Sequence, residues 1–377
     1  MEVNPRQRAE QAEFRAFVDQ EILPVADLFD REEKIPSSLM EKLAHKKYFG
    51  PVIPEKYGGS GMDFVTYGLL HEEIGRCCSS TRSLLTVHDI VAQAILRWGS
   101  RRQKEYWMPR LASGEVRAAF ALTEPSVGSD AKSIEMTATD TGAAYILNGK
   151  KRWITGGQTA DLFLVIARSQ EGPAAFLVER PNPGMRIEAI SGMLGVRASM
   201  LAELHLENCR VSKDAIVGRA GFGFSHVVAT ALDHGRYSVA WGCVGIAQAC
   251  LQACLRYTSR RKQFGVYLKE HQLIQRMITD MTTNLKAARL LCLQAGYLKE
   301  AGDPGSIMET SIAKYAASTM AFKAASDAVQ IHGANGCSSD YSVQRYLRDA
   351  KIMEIIEGSA QMQQLMIAQY SYQHYQY

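Results

Sequence analysis

No C-x-x-C pair occurs among the eight cysteines of this 377-residue chain, and no Cys/His set has the spacing of a zinc site, so no metal is expected. The cysteines are scattered, with one adjacent pair, Cys77-Cys78. Cys243, Cys250, Cys254 and Cys292 fall in apolar helical stretches and read as small buried hydrophobes, which suits a reducing compartment. An excess of one charge is missing too. The net charge is +4 with both signs interspersed, so nucleic acid is not expected as a partner. No apolar run approaches the ~20 residues that span a bilayer, and the start Met1-Glu2-Val3-Asn4-Pro5 has no secretory core. A cytoplasmic protein with no membrane partner is expected. Internal repeats and low-complexity segments are also absent.

With 46% hydrophobic and 22% charged residues, the composition is that of a globular chain long enough for two or three subdomains. Residues 1–110 read as helical. Asn4-Pro5 offers a cap and a first-turn proline, and Phe14, Phe17, Val18 and Ile22 keep helical spacing. A second helix starts at Ser37-Ser38 and is stopped by Gly50-Pro51. Residues 111–220 change character. Strand-length runs at Ala118–Leu122, Tyr145–Leu147, Leu162–Ala167, Ala174–Val178 and Ala202–Leu206 are separated by turn signals at Asn148-Gly149, Gly156-Gly157 and Pro181–Gly184. This predicts an antiparallel β domain. Residues 221–377 return to helix in stretches 225–260, 268–300, 306–333 and 342–370, the lengths of a four-helix bundle. The fold class is therefore α+β, mostly α.

Several blocks carry chemistry. Glu357 lies in Ile355-Ile356-Glu357-Gly358-Ser359, where apolar neighbours would raise its proton affinity and suit it to removing a proton from carbon. A helix-start acid would have the same look. The loop Thr123–Asp130 places hydroxyls and free N–H groups after a strand, and Trp153-Ile154-Thr155 adds a flat aromatic and another hydroxyl. Arg261–Gly265, then His271, couples charge to an aromatic, while Gln330–Gly336 is a Gly-punctuated helix end. The basic triplets Lys150-Lys151-Arg152 and Arg260-Arg261-Lys262 are expected by default to be solvated.

These blocks, with Arg348–Lys351 and in this order from about residue 10 to 370, resemble the acyl-CoA dehydrogenase family of flavoproteins. The resemblance implies FAD as cofactor and Glu357 as the base that takes the proton α to a thioester carbonyl while a β-hydride passes to the flavin. It places Phe120, Leu122, Thr123, Gly128, Ser129, Trp153 and Thr155 around the flavin ring. Arg261, Gln263, Phe264, Leu268, His271, Ile274, Gln330 and Gly333 would hold the pyrophosphate and adenosine, partly from a neighbouring subunit. Ser359 and Gln361 would touch FAD just after the base. Ser129, Asp233, Arg236, Ile356 and Gly358 are the implied substrate contacts, with Asp233 capping or orienting Arg236. The carbonyl would be polarised by a flavin hydroxyl and the Glu357 N–H.

Some relatives carry their base on an earlier helix, but the matching position here is Gly235, which leaves Glu357 alone. Oxygenase and nitroalkane-oxidising relatives have lost that glutamate. Cys78–Ser83, Arg236–Gly245 and Asp349–Ser359 are similar to a narrower group, the dehydrogenases that make hydroxymalonyl- or methoxymalonyl-carrier-protein extender units for polyketides. That group implies a small polar acyl group on an acyl carrier protein. The alternative is a short-chain acyl-CoA dehydrogenase of catabolism using a CoA thioester. The resemblance also implies a homotetramer, as a dimer of dimers, while the electron acceptor stays open between an electron-transfer flavoprotein, oxygen and another carrier. Trp241 either shortens the acyl pocket or packs between bundle helices. His88 is either a core residue or a substrate contact.

Overall fold

In the computed structural model, which describes residues 2–374, the first helix begins as its sequence directs. The Asn4 side chain accepts from the Gln7 N–H, Gln7 returns a bond to the Asn4 N–H, and Pro5 opens α1 (Pro5–Glu21). Phe14, Val18 and Ile22 are buried beneath it, while Phe17 packs at the edge. A short helix not foreseen, α2 (Ala26–Glu32), precedes α3 (Ser37–His45). α3 ends five residues before Gly50, so Gly50-Pro51 is not its stop signal. Then come α4 (Phe64–Cys77), α5 (Ser79–Trp98) and α6 (Arg101–Ala112). Asp63 caps α4 through the Thr66 N–H, and Ser100 caps α6.

The middle region holds β1 (Ala118–Ala121), β2 (Thr137–Asp140), β3 (Ala144–Ile154), β4 (Leu162–Ser169), β5 (Gly172–Glu179), β6 (Met185–Ala189), β7 (Ala202–Ser212) and β8 (Ile216–Val217). The strand order is β6-β7-β3-β2-β4-β5-β8, with β1 beside β4. The pairing is antiparallel except that β1 runs parallel to β4, with one parallel pairing between β2 and β4. Asn148-Gly149 is not a turn. It lies inside β3, where the register against β7 shifts, and the strand continues through a bulge. The apolar undersides of β1, β4 and β5 meet α5 and α6, which joins the β layer to the first helices.

After a single π-helical segment, Gly223–Val228, α7 (Ala229–Thr258) starts the C-terminal helices. A two-stranded hairpin, β9 (Lys262–Gln263) and β10 (Val266–Tyr267), leads to α8 (Gln272–Glu300) and α9 (Ser306–His332). The last predicted helix is two, α10 (Val343–Ile355) and α11 (Ala360–His374), broken around Glu357. By length and composition alone, Gly223–Thr258 could cross a membrane, yet 72% of its most apolar window is buried inside the protein. It is the centre post, packed by α4, α5, α8, α9 and α10.

Candidate active site

α10 ends where Ile356 turns extended, and Glu357 and Gly358 then adopt left-handed backbone (φ +56° and +86°) before Ser359 restarts helix. The Ser359 hydroxyl accepts from the Met362 N–H, the bond that opens α11. A left-handed glutamate costs on the order of 1–2 kcal/mol, so something must hold it. Three side chains do. Arg236 Nε donates to the Glu357 carbonyl at 3.2 Å, Lys314 Nζ donates to the Gly358 carbonyl at 2.8 Å, and Gln363 Nε2 reaches both. Lys314 and Gln363 have no sequence signal, because they sit mid-helix in α9 and α11 and meet the turn only in three dimensions. Burial pushes Lys314 down to about 8.

The carboxylate of Glu357 lies against the backbone of Gly235 on α7, where any Cβ would collide with it. Glycine at this position is what lets the acid approach the helix. The residue is partly exposed as a whole, but Oε2 is shut off from water and makes no hydrogen bond among the described residues. Burial raises its pKa to about 7, against the opposing pull of Arg236, Arg82 and Lys314. The Glu357 N–H also has no hydrogen-bond acceptor among the described residues. A carboxyl half-ionised near neutrality beside a free N–H can take a proton from carbon and polarise an adjacent carbonyl.

The two segments that carry the predicted flavin positions of the β region lie side by side. Phe120 and Leu122 lie on and just after β1, Thr123, Gly128 and Ser129 on the following loop, and Trp153 and Thr155 at the end of β3. The Arg152 N–H donates to the Thr123 carbonyl at 2.9 Å, tying the two segments together. Trp153 takes a left-handed φ of +63° and leaves its indole 44% exposed, with the Arg152 guanidinium over it. A large aromatic held out in a strained backbone beside hydroxyls and an open Gly128 fits the flat polar ring of a flavin. Beneath the loop, Glu124 accepts from the N–H groups of Glu135 and Met136 and from Lys151 Nζ at 2.7 Å. Lys151 is fully buried, so this member of its basic triplet is structural and not solvated. Burial lowers it to about 8.

Arg261, Gln263, Phe264, Leu268, His271 and Ile274 gather at the β9–β10 hairpin and the start of α8, with Phe264 in the turn and 95% exposed. Tyr257 donates to the His332 carbonyl and the Arg261 N–H donates to the Tyr257 carbonyl, which brings Gln330 and Gly333 to the same end of the bundle. That end is about 30 Å along α7 from Arg236, at 1.5 Å per residue. One chain therefore does not bring these residues to Glu357. Ser359 and Gln361, by contrast, flank the base directly, as do Ile356 and Gly358.

Asp233 does not hydrogen-bond Arg236; its Oδ2 takes Lys299 Nζ at 2.5 Å, a cation supplied by α8 that the sequence did not point to. Trp241 packs between bundle helices, against Gly68 of α4 and under Arg289 of α8. His88 is a core residue. It accepts from the Ala118 N–H at Nδ1, which leaves Nε2 to donate to the Leu111 carbonyl.

Family models described as the acyl-CoA dehydrogenase N-terminal, middle and C-terminal domains match residues 4–115, 119–209 and 221–371. The chain is 38% identical over 360 residues to the short-chain specific acyl-CoA dehydrogenase of mouse mitochondria, covering 94% of this chain and 87% of that one. It is 38% identical to a glutaryl-CoA dehydrogenase of Desulfococcus multivorans, covering 95% and 94%. Among solved structures, a glutaryl-CoA dehydrogenase of Mycobacterium smegmatis in complex with FADH2 superposes with a TM-score of 0.93 at 30% identity, covering 99% and 95%. FkbI, for biosynthesis of the methoxymalonyl extender unit of the Fk520 polyketide, gives 0.89 at 31%, covering 97% and 99%. The prolyl acyl carrier protein oxidase AnaB gives 0.92 at 29%, also covering 97% and 99%. With all three family domains matched in order around the shielded carboxyl of Glu357, the chain belongs to the acyl-CoA dehydrogenase family, FAD-dependent oxidoreductases acting on acyl thioesters.

Proposed function

We propose that this enzyme dehydrogenates a short polar acyl group carried on an acyl carrier protein, of the kind used to make polyketide extender units, with Glu357 as the base. The observation that carries the reading is Glu357 itself, a shielded carboxyl with a pKa near 7. It takes the α-proton, and its own N–H stabilises the charge that gathers on the thioester oxygen. Arg236 and Lys314 fix the turn so that acid and N–H face the same substrate. The loop at Thr123–Ser129 with Trp153 and Thr155 would hold the flavin ring. Bound FAD supplies the hydride acceptor. The far cluster, Arg261–Ile274 with Gln330 and Gly333, would complete the nucleotide site of a neighbouring subunit in a homotetramer. FkbI and AnaB, two neighbours whose names concern an extender unit and a carrier protein, support the polar, carrier-bound substrate.

A second reading, a catabolic short-chain acyl-CoA dehydrogenase, is favoured by the 38% identity to the mouse enzyme. Anaerobic bleaching of the flavin separates them. A 2,3-dihydroxypropionyl group on a carrier protein is expected to reduce the flavin at least tenfold faster than butyryl-CoA. The reverse order would make the second reading correct.

A further inference from the structure

Arg82, on α5, is a buried cation that makes no ion pair among the described residues. It is 1% exposed. Its Nη1 donates to the hydroxyls of Thr86 at 3.0 Å and Ser238 at 3.3 Å, and its Nη2 donates to the Ser83 hydroxyl at 2.7 Å and reaches Met353 Sδ at 3.6 Å. Nε has no partner among the described residues. All of these contacts are to neutral atoms. α7 leaves room for the group, since a Cβ on Gly242 would collide with Arg82 Cδ. A neutral side chain could fill the same space without taking a charge out of water, which is costly when no opposite charge comes with it.

Its location shows what the charge can act on. Ser238 lies one helical turn past Gly235, the residue against which the Glu357 carboxylate rests, and Met353 lies one turn before Glu357. The guanidinium is therefore wedged behind the acid, between α5, α7 and α10. The cations that act on Glu357 are Arg82, Arg236 from α7 and Lys314 from α9. Arg236 and Lys314 are tied to the carbonyls of the turn, so each also shapes it. Arg82 hydrogen-bonds neither the turn nor the acid.

The titratable groups around Arg82 leave its charge uncancelled near neutral pH. Burial pushes Tyr67 and Cys243 up, so they stay a neutral phenol and thiol, and pushes His71 down, so it stays a neutral imidazole. Asp349, from α10, accepts from the Val196 N–H with one oxygen and faces Arg345 with the other.

We propose that Arg82 is a positioning residue for the base: its unpaired charge, acting through space, keeps the Glu357 carboxyl ionised enough to accept a proton at neutral pH. Charges interact strongly where water is excluded, and an arginine keeps its proton there. Without it, the same burial would leave Glu357 protonated at neutral pH and unable to act as a base.

This rests on Glu357 as the base, and the test separates the two. The infrared band of protonated carboxyls in the FAD-bound protein is titrated against pH, with Glu357→Gln identifying the component that belongs to Glu357. Its midpoint, near 7 in the unsubstituted protein, should rise by at least about one pH unit, a tenfold gain in proton affinity, in both Arg82→Gln and Arg82→Met. Gln keeps a donor for the hydroxyls and Met fills the space, so either variant that folds can be read. Ser83→Ala removes one partner of the guanidinium but keeps the charge, and its midpoint should stay within about 0.3 units. A midpoint unmoved in the neutral variants, or moved as far by Ser83→Ala, overturns the proposal. Flavin reduction by substrate should follow the same midpoint in each protein. A rate indifferent to that midpoint would instead sink Glu357 as the base and leave the role of Arg82 standing.

Discussion

At the Arg236 end of α7 a carboxylate is held in a left-handed turn by three donors from three helices, and its reactive atom is dry. At the Tyr257 end, the residues expected to grip a nucleotide stand on a two-residue hairpin with Phe264 almost wholly in solvent. The first region satisfies its geometry within one chain. The second presents an exposed aromatic and, among the described residues, cations such as Arg261 that make no ion pair. Under the proposed function, the acid half of the site is preorganised by folding, and the nucleotide half would be completed by another surface. The distinction bears on experiment: substitutions in the first region should alter chemistry and folding together, and those in the second should leave the single chain alone.

The largest effect expected is on chemistry. Glu357→Gln removes the shielded carboxylate that lies against Gly235, and flavin reduction by substrate should fall at least ~1000-fold while FAD stays bound. Stopped-flow bleaching of the flavin measures it. A variant that bleaches at the wild-type rate would show that the dry end is scaffolding.

Next in size is the ion pair under the flavin loop. Lys151 and Glu124 are both shut away from water, so Lys151→Met strands a carboxylate with two backbone donors and should cost about 3–5 kcal/mol. Chemical denaturation gives the number. The double variant with Glu124→Gln should recover a good part of it, because both charges then leave together.

The acidity of Glu357 gives a third handle. Burial lifts its pKa to about 7; with the ionised form as the proposed base, reduction should rise tenfold per pH unit from acid and level off above about 7. Stability runs the other way. A carboxyl that binds its proton more tightly when folded weakens the fold as pH climbs from about 4.5 to 7, and the full penalty persists above that. Glu357→Gln removes the penalty. It should be stabilising by up to about 3 kcal/mol at pH 8 and close to neutral near pH 4.5. A Gln variant less stable at pH 8 than at pH 5, relative to wild type, would contradict the burial.

Much of this was legible in the chain. Asn4-Pro5, the strand-length runs and the long helices carry their own local signals, and Glu357-Gly358 stood out because apolar neighbours flank an acid at a helix-breaking glycine. Other features depend on tertiary contact. Asn148-Gly149 has turn chemistry but sits in β3, since pairing with β7 on one side and β2 on the other outweighs local preference. Lys151 looked like one of three surface cations; alternation along β3 turns it inward while Lys150 and Arg152 turn outward. Lys314 and Gln363 are ordinary helix residues until folding brings them to the Glu357 turn. Asp233 has Arg236 as its near cation in sequence, yet folding gives it Lys299, 66 residues away.

The smallest effect on the chain itself should come from Phe264. Its ring is 95% exposed and touches little besides the His271 ring at 6.2 Å, so Phe264→Ala removes almost no packing. Unfolding of the FAD-free protein should shift by less than about 0.5 kcal/mol, the range for surface positions. An aromatic this exposed on a turn with φ +53° is nonetheless an expensive thing to keep, since a polar residue would fit the same place at lower cost. If a second subunit covers it, the same substitution should weaken FAD binding at least tenfold and lower the sedimentation coefficient. Loss of FAD affinity with unchanged folding would mark the hairpin as half of a shared site. Unchanged FAD affinity and unchanged sedimentation would mean that the nucleotide end is as self-contained as the acid end, and the contrast between them would collapse.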